Sequence, residues 1–434
     1  MEKRVTYLEQ WAQTIWRAAQ TPDALAGKKS IQIHGIDMVR GPRAGALEIL
    51  AGLDAGRLLN ALKSNDFAIH RQFVPYEFSG HPAVFMSGRH VRLEAGWPDA
   101  LAEKDIKLAD IGQHPKEGGR WVAGKNEMGR TVTLSLSDTV PHYLLGGYTG
   151  SGKTYAMRSA VAQLARDPFN HLVLIDGKWG YGLGPLGHIA NRIGPLAIEF
   201  EQVRAALSWS VGEMRSRYQT GRRDSRLVII IDEIQEFTKD TVVAELLRRL
   251  AAQGRDADVH LILGTQDPTA DAFNKITIRR NLVGRIALLT ENYKSSEVVV
   301  GGKTPRADFL LGAGDAYALT PGALHRVQLA YIPESDLVNE ASGEPEFDDW
   351  PDFDPEAAGT LPEDTGTGRQ ISGQEVAVSL VQAHLGAGRP TLQRAIENAG
   401  INKPGSTRAD WLLSLGREAH AWLSDNDWTL CETQ

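Results

Sequence analysis

The chain has 434 residues and carries 47 Lys and Arg against 54 Asp and Glu, a formal charge of −7. Its ordinary globular composition predicts two to four domains and excludes global disorder. Cys431 is the only cysteine, which excludes a disulfide scaffold and cysteine zinc sites, and the 12 histidines show no metal-ligand spacing. No apolar run approaches the roughly 18–20 residues of a membrane span. The start, Met1-Glu2-Lys3-Arg4, lacks a signal-peptide core, so a soluble, cytoplasmic protein is expected.

Residues 1–20 read as a helix, with Val5, Leu8, Ala12, Ile15 and Ala19 at three- and four-residue spacing. Residues 30–115 mix strand-like runs (Ile31 to Ile36, Val91 to Leu93) with a helix near Ala55 to Lys63, an expected small α+β domain over 1–115. From Trp121 the pattern changes. Buried runs at His142–Leu145, Leu172–Ile175, Leu227–Ile231, His260–Leu263 and Arg285–Leu289 are separated by helical segments, which predicts a parallel α/β sheet over 116–332. Residues 334–368 then hold 12 acidic side chains and no Lys or Arg, together with four prolines. That composition predicts a disordered or extended linker over 333–371. It leaves 47 basic against 42 acidic side chains elsewhere, so the acidic total does not exclude a nucleic-acid partner. Residues 372–434 read as three further helices.

Gly147-Tyr148-Thr149-Gly150-Ser151-Gly152-Lys153-Thr154 follows a short strand and opens a helix. Glycines at these positions let backbone N–H groups turn around a β-phosphate, and the helix start adds positive dipole. Gly147, Thr149, Gly150, Ser151, Gly152, Lys153 and Thr154 are therefore expected to bind ATP, with Lys153 on the β- and γ-phosphates and the Thr154 hydroxyl on Mg²⁺. The strand Leu227–Ile231 ends in Asp232-Glu233. Paired carboxylates at a buried strand end are costly without a use. Asp232 is expected in the Mg²⁺ shell, and Glu233 is expected to orient or deprotonate the attacking water. A third strand, His260–Gly264, ends in Thr265-Gln266, where Gln266 either senses the γ-phosphate or simply closes a turn.

Taken together these residues resemble the FtsK/SpoIIIE family of DNA translocases, in the HerA–FtsK superfamily. The carriers are Pro141–Thr154, Asp176-Gly177-Lys178 where the family has Asp-Pro-Lys, Glu213-Met214 with Arg217-Tyr218, Leu250–Arg255, His260–Pro268, Ile278–Ile286 and Gly312–Asp315. The resemblance implies a RecA-like P-loop ATPase core and a ring, usually hexameric, that moves along double-stranded DNA with the ATP site between subunits. It places Arg255 at the position of the family's trans-acting arginine finger; a helix-end charge on terminal carbonyls is the other reading. Arg279, Arg280 and Arg285 become candidates for DNA contact, while Arg215, Arg217, Arg222, Arg223 and Arg226 read as a solvated basic face. The family's membrane segments are missing, as in some phage and mobile-element versions.

The last three helices fit a helix-turn-helix, with Pro390 at a helix start and Ser406 as a cap. They loosely resemble the winged-helix module that ends many such translocases. In that reading Thr407 and Arg408 face bases or phosphates. With five basic and seven acidic residues over 372–434, a protein-interaction bundle is the competing reading. Two alternatives to the translocase remain at this stage: a type VII-like protein-secretion ATPase, and an ATP-gated DNA-binding regulator that does not move.

Overall fold

The computed structural model describes residues 2–21, 30–63, 69–112, 115, 118–266 and 277–358. Thr407, Arg408 and the whole helix-turn-helix expectation over 372–434 lie outside the described residues, as do Asp267 and Pro268.

Helix α1 (Glu2–Gln20) forms where the apolar spacing puts it. Leu8, Trp11, Ile15 and Ala19 are buried, and the Trp11 indole donates to the Phe73 carbonyl at 2.7 Å. With α2 (Ala55–Leu62) it covers an antiparallel sheet ordered β1-β2-β4-β3. The strands are Gly35–Arg40 (β1), Ala44–Leu50 (β2), Ser79–Ser87 (β3) and His90–Gly96 (β4). The expected strand at Ile31 begins later, at Gly35. Ile31 and Ile33 are buried against the helices, but single backbone bonds hold this stretch, such as Ile31 N–H to the Ala19 carbonyl at 3.1 Å.

The second sheet has nine strands in the order β6-β5-β13-β12-β11-β7-β10-β9-β8. One half is parallel: β11 (Gly284–Leu288), β7 (His142–Gly146), β10 (Val259–Thr265), β9 (Arg226–Asp232) and β8 (Asn170–Asp176). Their Val-, Ile- and Leu-rich runs are buried on both faces, as a sheet covered by crossover helices requires. Those helices are α3 (Lys153–Leu164), α4 (Phe200–Thr220) and α5 (Thr241–Gln253). The other half is antiparallel: β5 (Arg120–Asn126), β6 (Thr131–Ser135), β12 (Asp315–Thr320) and β13 (Ala323–Leu329). The parallel half is the sheet expected; the antiparallel half departs from the expectation and makes the sheet mixed. The chain leaves β7 for the far edge, returns through β9 and β10, then steps over β7 to β11. That reversal leaves a crevice beyond the C-terminal ends of β7, β9 and β10.

A buried charge network joins the two sheets. Arg92 pairs with Glu48 and Glu94 at 2.6 Å and with Glu127 at 2.5 Å. Arg326 pairs with Glu94 at 3.0 Å and Asp315 at 2.7 Å, and the Tyr317 hydroxyl donates to Glu94 at 2.6 Å. Each carboxylate shares a cation, which is the condition for burying charge at tolerable cost. Arg43 extends the junction by donating to the Ala313 carbonyl at 3.0 Å. Gly314 N–H in turn donates to the Ser151 carbonyl at 2.8 Å. The small sheet therefore supports the loop that seats Gly147–Thr154.

The acidic stretch departs from the expectation of a free linker. Helix α7 (Glu334–Leu337) buries Leu337, and Arg158 and Arg166 pair with Glu334 at 2.6 Å and Glu340 at 2.7 Å. Phe347 N–H donates to the Ile193 carbonyl at 2.7 Å, and the Trp350 indole donates to the Pro195 carbonyl at 2.9 Å. A side chain at Gly194 would collide with Trp350 at 2.7 Å, so glycine is required there. Through residue 358 the segment is packed against the body, and the rest of the expected linker lies outside the described residues. The segment's acids meet arginines from α3 and the turn after it, and its few apolar residues act as anchors. The described residues fall within one compact unit, Met1–Gly359.

Candidate functional site

Strand β7 is buried along its whole length and delivers the glycine loop to the crevice. His142 at its start fixes the register with β10. Leu261 N–H donates to Nδ1 at 3.0 Å, and Nε2 donates to the Ala251 carbonyl at 3.1 Å. Burial and the neighbouring His260 push this imidazole down to about 3, so it stays neutral. Gly150 and Gly152 take φ values of +86° and +98°, the left-handed region that favours glycine. Gly152 caps α3 with no side-chain bond to its first turn, so the leading N–H groups remain available to an anion. The buried Ser151 hydroxyl has no hydrogen-bond partner among the described residues. Unspent donors, left-handed glycines and a lysine at the helix start fit a phosphate group.

Lys153 is 2% exposed, and its ammonium lies between Asp232 and Glu233, 2.9 Å from the latter. The Thr154 hydroxyl donates to Asp232 at 3.3 Å. The sequence-predicted lysine, threonine and two carboxylates thus converge on one point. Strand β10 passes close: a Cβ at Gly264 would stand 2.5 Å from Met157 Sδ and 2.9 Å from Asp232 Oδ1. Only glycine lets the strand approach the carboxylate this closely.

Glu233 is fully buried and adopts a left-handed backbone, φ 57° and ψ 55°. For a non-glycine residue this costs about 1–3 kcal/mol and is held by its surroundings. Its Oε1 takes bonds from Lys153 and Lys178, both at 2.9 Å. Its Oε2 takes bonds from the Gln235 amide at 2.6 Å and from Gln266 N–H at 3.1 Å. Burial pushes the carboxyl up, but Lys153 with the bonds from Gln235 and Lys178 outweighs it and holds the group below its ordinary value. Gln266 also accepts from the Thr149 hydroxyl at 2.8 Å, linking Glu233 to the glycine loop. Gln235 has no signature in the sequence, and Lys178 stands there only within the Asp176-Gly177-Lys178 resemblance, with no role attached; their roles come from contacts across 2 and 55 residues.

Residues 115–229, which include the glycine loop, match the FtsK/SpoIIIE family model. The chain carries an FtsK/SpoIIIE domain. It is similar to the DNA translocase FtsK of Chlamydia pneumoniae, 26% identical over 357 residues, covering 72% of this chain and 43% of that one. It is also similar to the DNA translocase FtsK of Corynebacterium glutamicum, 29% identical over 270 residues, 52% of this chain and 29% of that one. The chain spans less than half the length of these curated relatives. Among solved structures, the pCW3 conjugation coupling protein TcpA, a monomer form with ATPγS, matches with a TM-score of 0.50. It is 17% identical and the match covers 78% of this chain and 99% of that one, a likeness of fold.

Residues that carry the FtsK/SpoIIIE resemblance outside the crevice divide by what they touch. Glu213, Arg217 and Tyr218 on α4 are a clamp. Buried Arg217 pairs with Glu213 at 2.8 Å and donates to the Ser225 carbonyl at 2.7 Å and the Ala257 carbonyl at 3.1 Å. The Tyr218 hydroxyl donates to the Gln253 carbonyl at 2.6 Å. Arg217 thus leaves the expected solvated basic face. The clamp holds the turn Arg255–Ala257, from which Arg255 projects, 56% exposed and, among the described residues, paired only with the adjacent Asp256 at 3.0 Å. Arg255 stands before the first residue of β10 and Gln266 after its last. Seven strand residues separate them, about 23 Å at ~3.3 Å each. Arg285 is taken up structurally: it donates to the Val298 and Val299 carbonyls at 3.1 and 2.9 Å, capping helix α6 (Tyr293–Val300). Burial and Arg279 lower it to about 10. Arg279 is half-buried and donates to the Glu297 carbonyl at 2.9 Å, whereas Arg280 is exposed. Among the described residues no helix is long and apolar enough to cross a membrane.

Proposed function

We propose that this chain is an ATP-driven double-stranded DNA translocase with a RecA-like motor core, working as a homo-oligomeric, six-membered ring in DNA transfer or segregation. The observation that carries the reading is the Lys153 ammonium between Asp232 and Glu233, with Gln266 joining Glu233 to the glycine loop. It is the arrangement expected of a site that trades a cation between carboxylates and phosphate. The family match supports the ATPase chemistry, and the names of the curated relatives support DNA as the track.

In this reading the glycine loop and the first turn of α3 bind the phosphates of ATP, and Lys153 moves from its carboxylates to the β- and γ-phosphates. Mg²⁺ would supply charge neutralisation, held by the Thr154 hydroxyl and Asp232, with water and phosphate oxygens completing its shell. Glu233, relieved of Lys153, takes the proton from the attacking water. Gln266 reads the γ-phosphate and passes the change to Thr149. Arg255 is too distant for its own glycine loop and acts on that of a second copy, which makes the ring part of the active site. Arg280 is the exposed candidate for DNA phosphate, with Arg279, Thr407 and Arg408 as further candidates.

Linear duplex DNA is expected to raise the steady-state ATPase rate, and the stimulation is expected to fall as salt rises from low to moderate concentration, because phosphate contacts release counterions. A rate indifferent to DNA, but raised by a secreted peptide, would instead favour a protein-secretion motor.

A further inference from the structure

The glutamate assigned above as the base is not available in this conformation. A carboxylate offers about four lone-pair positions. In Glu233 all four are taken, by Lys153, Lys178, Gln235 and Gln266. A base so occupied has no lone pair left for a water proton. Lys153 departs when phosphate arrives, since phosphate is its better partner; that frees one position on Oε1 for the water but leaves the charge of the carboxylate engaged by Lys178. Gln235 is held in place by its own bond from the Thr265 hydroxyl at 2.9 Å, and Gln266 N–H belongs to the backbone at the end of β10. Lys178 is the remaining donor, and it is built to move.

Its side chain is 37% exposed, against 0% for Glu233. It rides on Gly177-Lys178-Trp179-Gly180-Tyr181-Gly182, a loop with three glycines, a left-handed Trp179 at φ 55° and a left-handed Gly180 at φ 81°. The Trp179 and Tyr181 side chains are 77% and 82% exposed, but buried Arg158 donates to the Tyr181 and Gly182 carbonyls at 2.7 and 2.5 Å, so the loop backbone is held and the freedom lies in the Lys178 side chain. The base of the loop is fixed: Asp176 accepts from Lys178 N–H at 2.6 Å and from Leu183 N–H at 2.7 Å, and Gly177 N–H donates to the Asp232 carbonyl at 3.0 Å. The backbone is anchored while the ammonium reaches inward from solvent.

We propose that Lys178 is a restraining residue: it holds Glu233 back from water and keeps basal turnover low until its ammonium swings out to solvent. It acts through Glu233, touches neither substrate nor metal, and the proposal rests on the reading of Glu233 as the base. A neutral side chain of similar length at 178 vacates one position on Oε1 and removes a charge-assisted bond from the base.

The test measures kcat and KM for ATP without DNA, on the full chain, for the wild type, Lys178→Met, Lys178→Arg and Glu233→Gln. Lys178→Met is expected to raise DNA-independent kcat by roughly 10- to 100-fold, the worth of one charge-assisted hydrogen bond, at a KM within about twofold of wild type. Lys178→Arg, which keeps a cation, is expected to stay within about twofold of the wild type on both parameters. A Lys178→Met kcat that is unchanged or lower overturns the restraint, as does a Lys178→Arg rise equal to that of the methionine variant. Lys178→Gln, measured in parallel, guards against a misfolded methionine variant. Full turnover in Glu233→Gln would overturn the underlying assignment of the base instead, so the two failures are distinguishable.

Discussion

Glu233→Gln is expected to lower ATP turnover by about 10²- to 10⁴-fold, the usual contribution of a positioned general base. The substitution preserves size and removes the proton-accepting charge. The Glu233 backbone sits in the left-handed region because Gln266, Gln235 and two lysines hold its side chain. A glutamine oxygen still accepts from Gln266 N–H, so the turn after β9 is retained. In the proposed function ATP affinity depends on the glycine loop, Lys153 and Thr154, so binding of a fluorescent ATP analogue should remain within a few-fold of wild type. Single-turnover hydrolysis alongside that titration checks both halves. A variant that binds poorly would mean that Glu233 shapes the pocket, and one that turns over normally would remove it from the chemistry.

The second large effect belongs to Arg255. Arg255→Ala is expected to lower DNA-stimulated turnover by about 10³- to 10⁵-fold, the range for a finger that stabilises transition-state charge. The fold should be indifferent, because Arg255 is more than half exposed and its ion pair is with its immediate neighbour. Its distance from its own glycine loop makes a sharper demand. Mixing Arg255→Ala with Lys153→Ala should restore part of the activity that each lacks alone. The first variant supplies an intact phosphate loop and the second an intact arginine to serve it. Mixtures inactive at every ratio would place Arg255 outside the site, at the helix end where its charge faces terminal carbonyls.

Much of the fold was legible because its signals are local. Runs such as Leu227–Ile231 are buried on both faces and read as continuous apolar strands, and Leu8, Ile15 and Ala19 mark one face of α1 by spacing alone. The glycine loop and Asp232-Glu233 were legible for a different reason: few arrangements tolerate those residue types at a buried strand end. What escaped was set by contacts distant in sequence. Lys178 reaches Glu233 only because β8 and β9 are neighbours in the sheet. Arg285 reads as a surface arginine until β11 brings it beneath the last carbonyls of α6. The acidic stretch reads as a disordered or extended linker until Arg158 on α3 and Arg166 just beyond it meet its acids. Composition reports the charge of a segment, whereas its packing depends on the charge of what lies opposite.

The central claim is movement along duplex DNA driven by ATP. Displacement of a labelled third strand from a triplex on linear duplex DNA, followed with and without ATP, tests it most directly. The account predicts displacement that requires ATP, needs duplex on the entry side of the triplex, and vanishes in Glu233→Gln. DNA binding and ATP hydrolysis without displacement would contradict it, leaving an ATPase that holds DNA and does not travel.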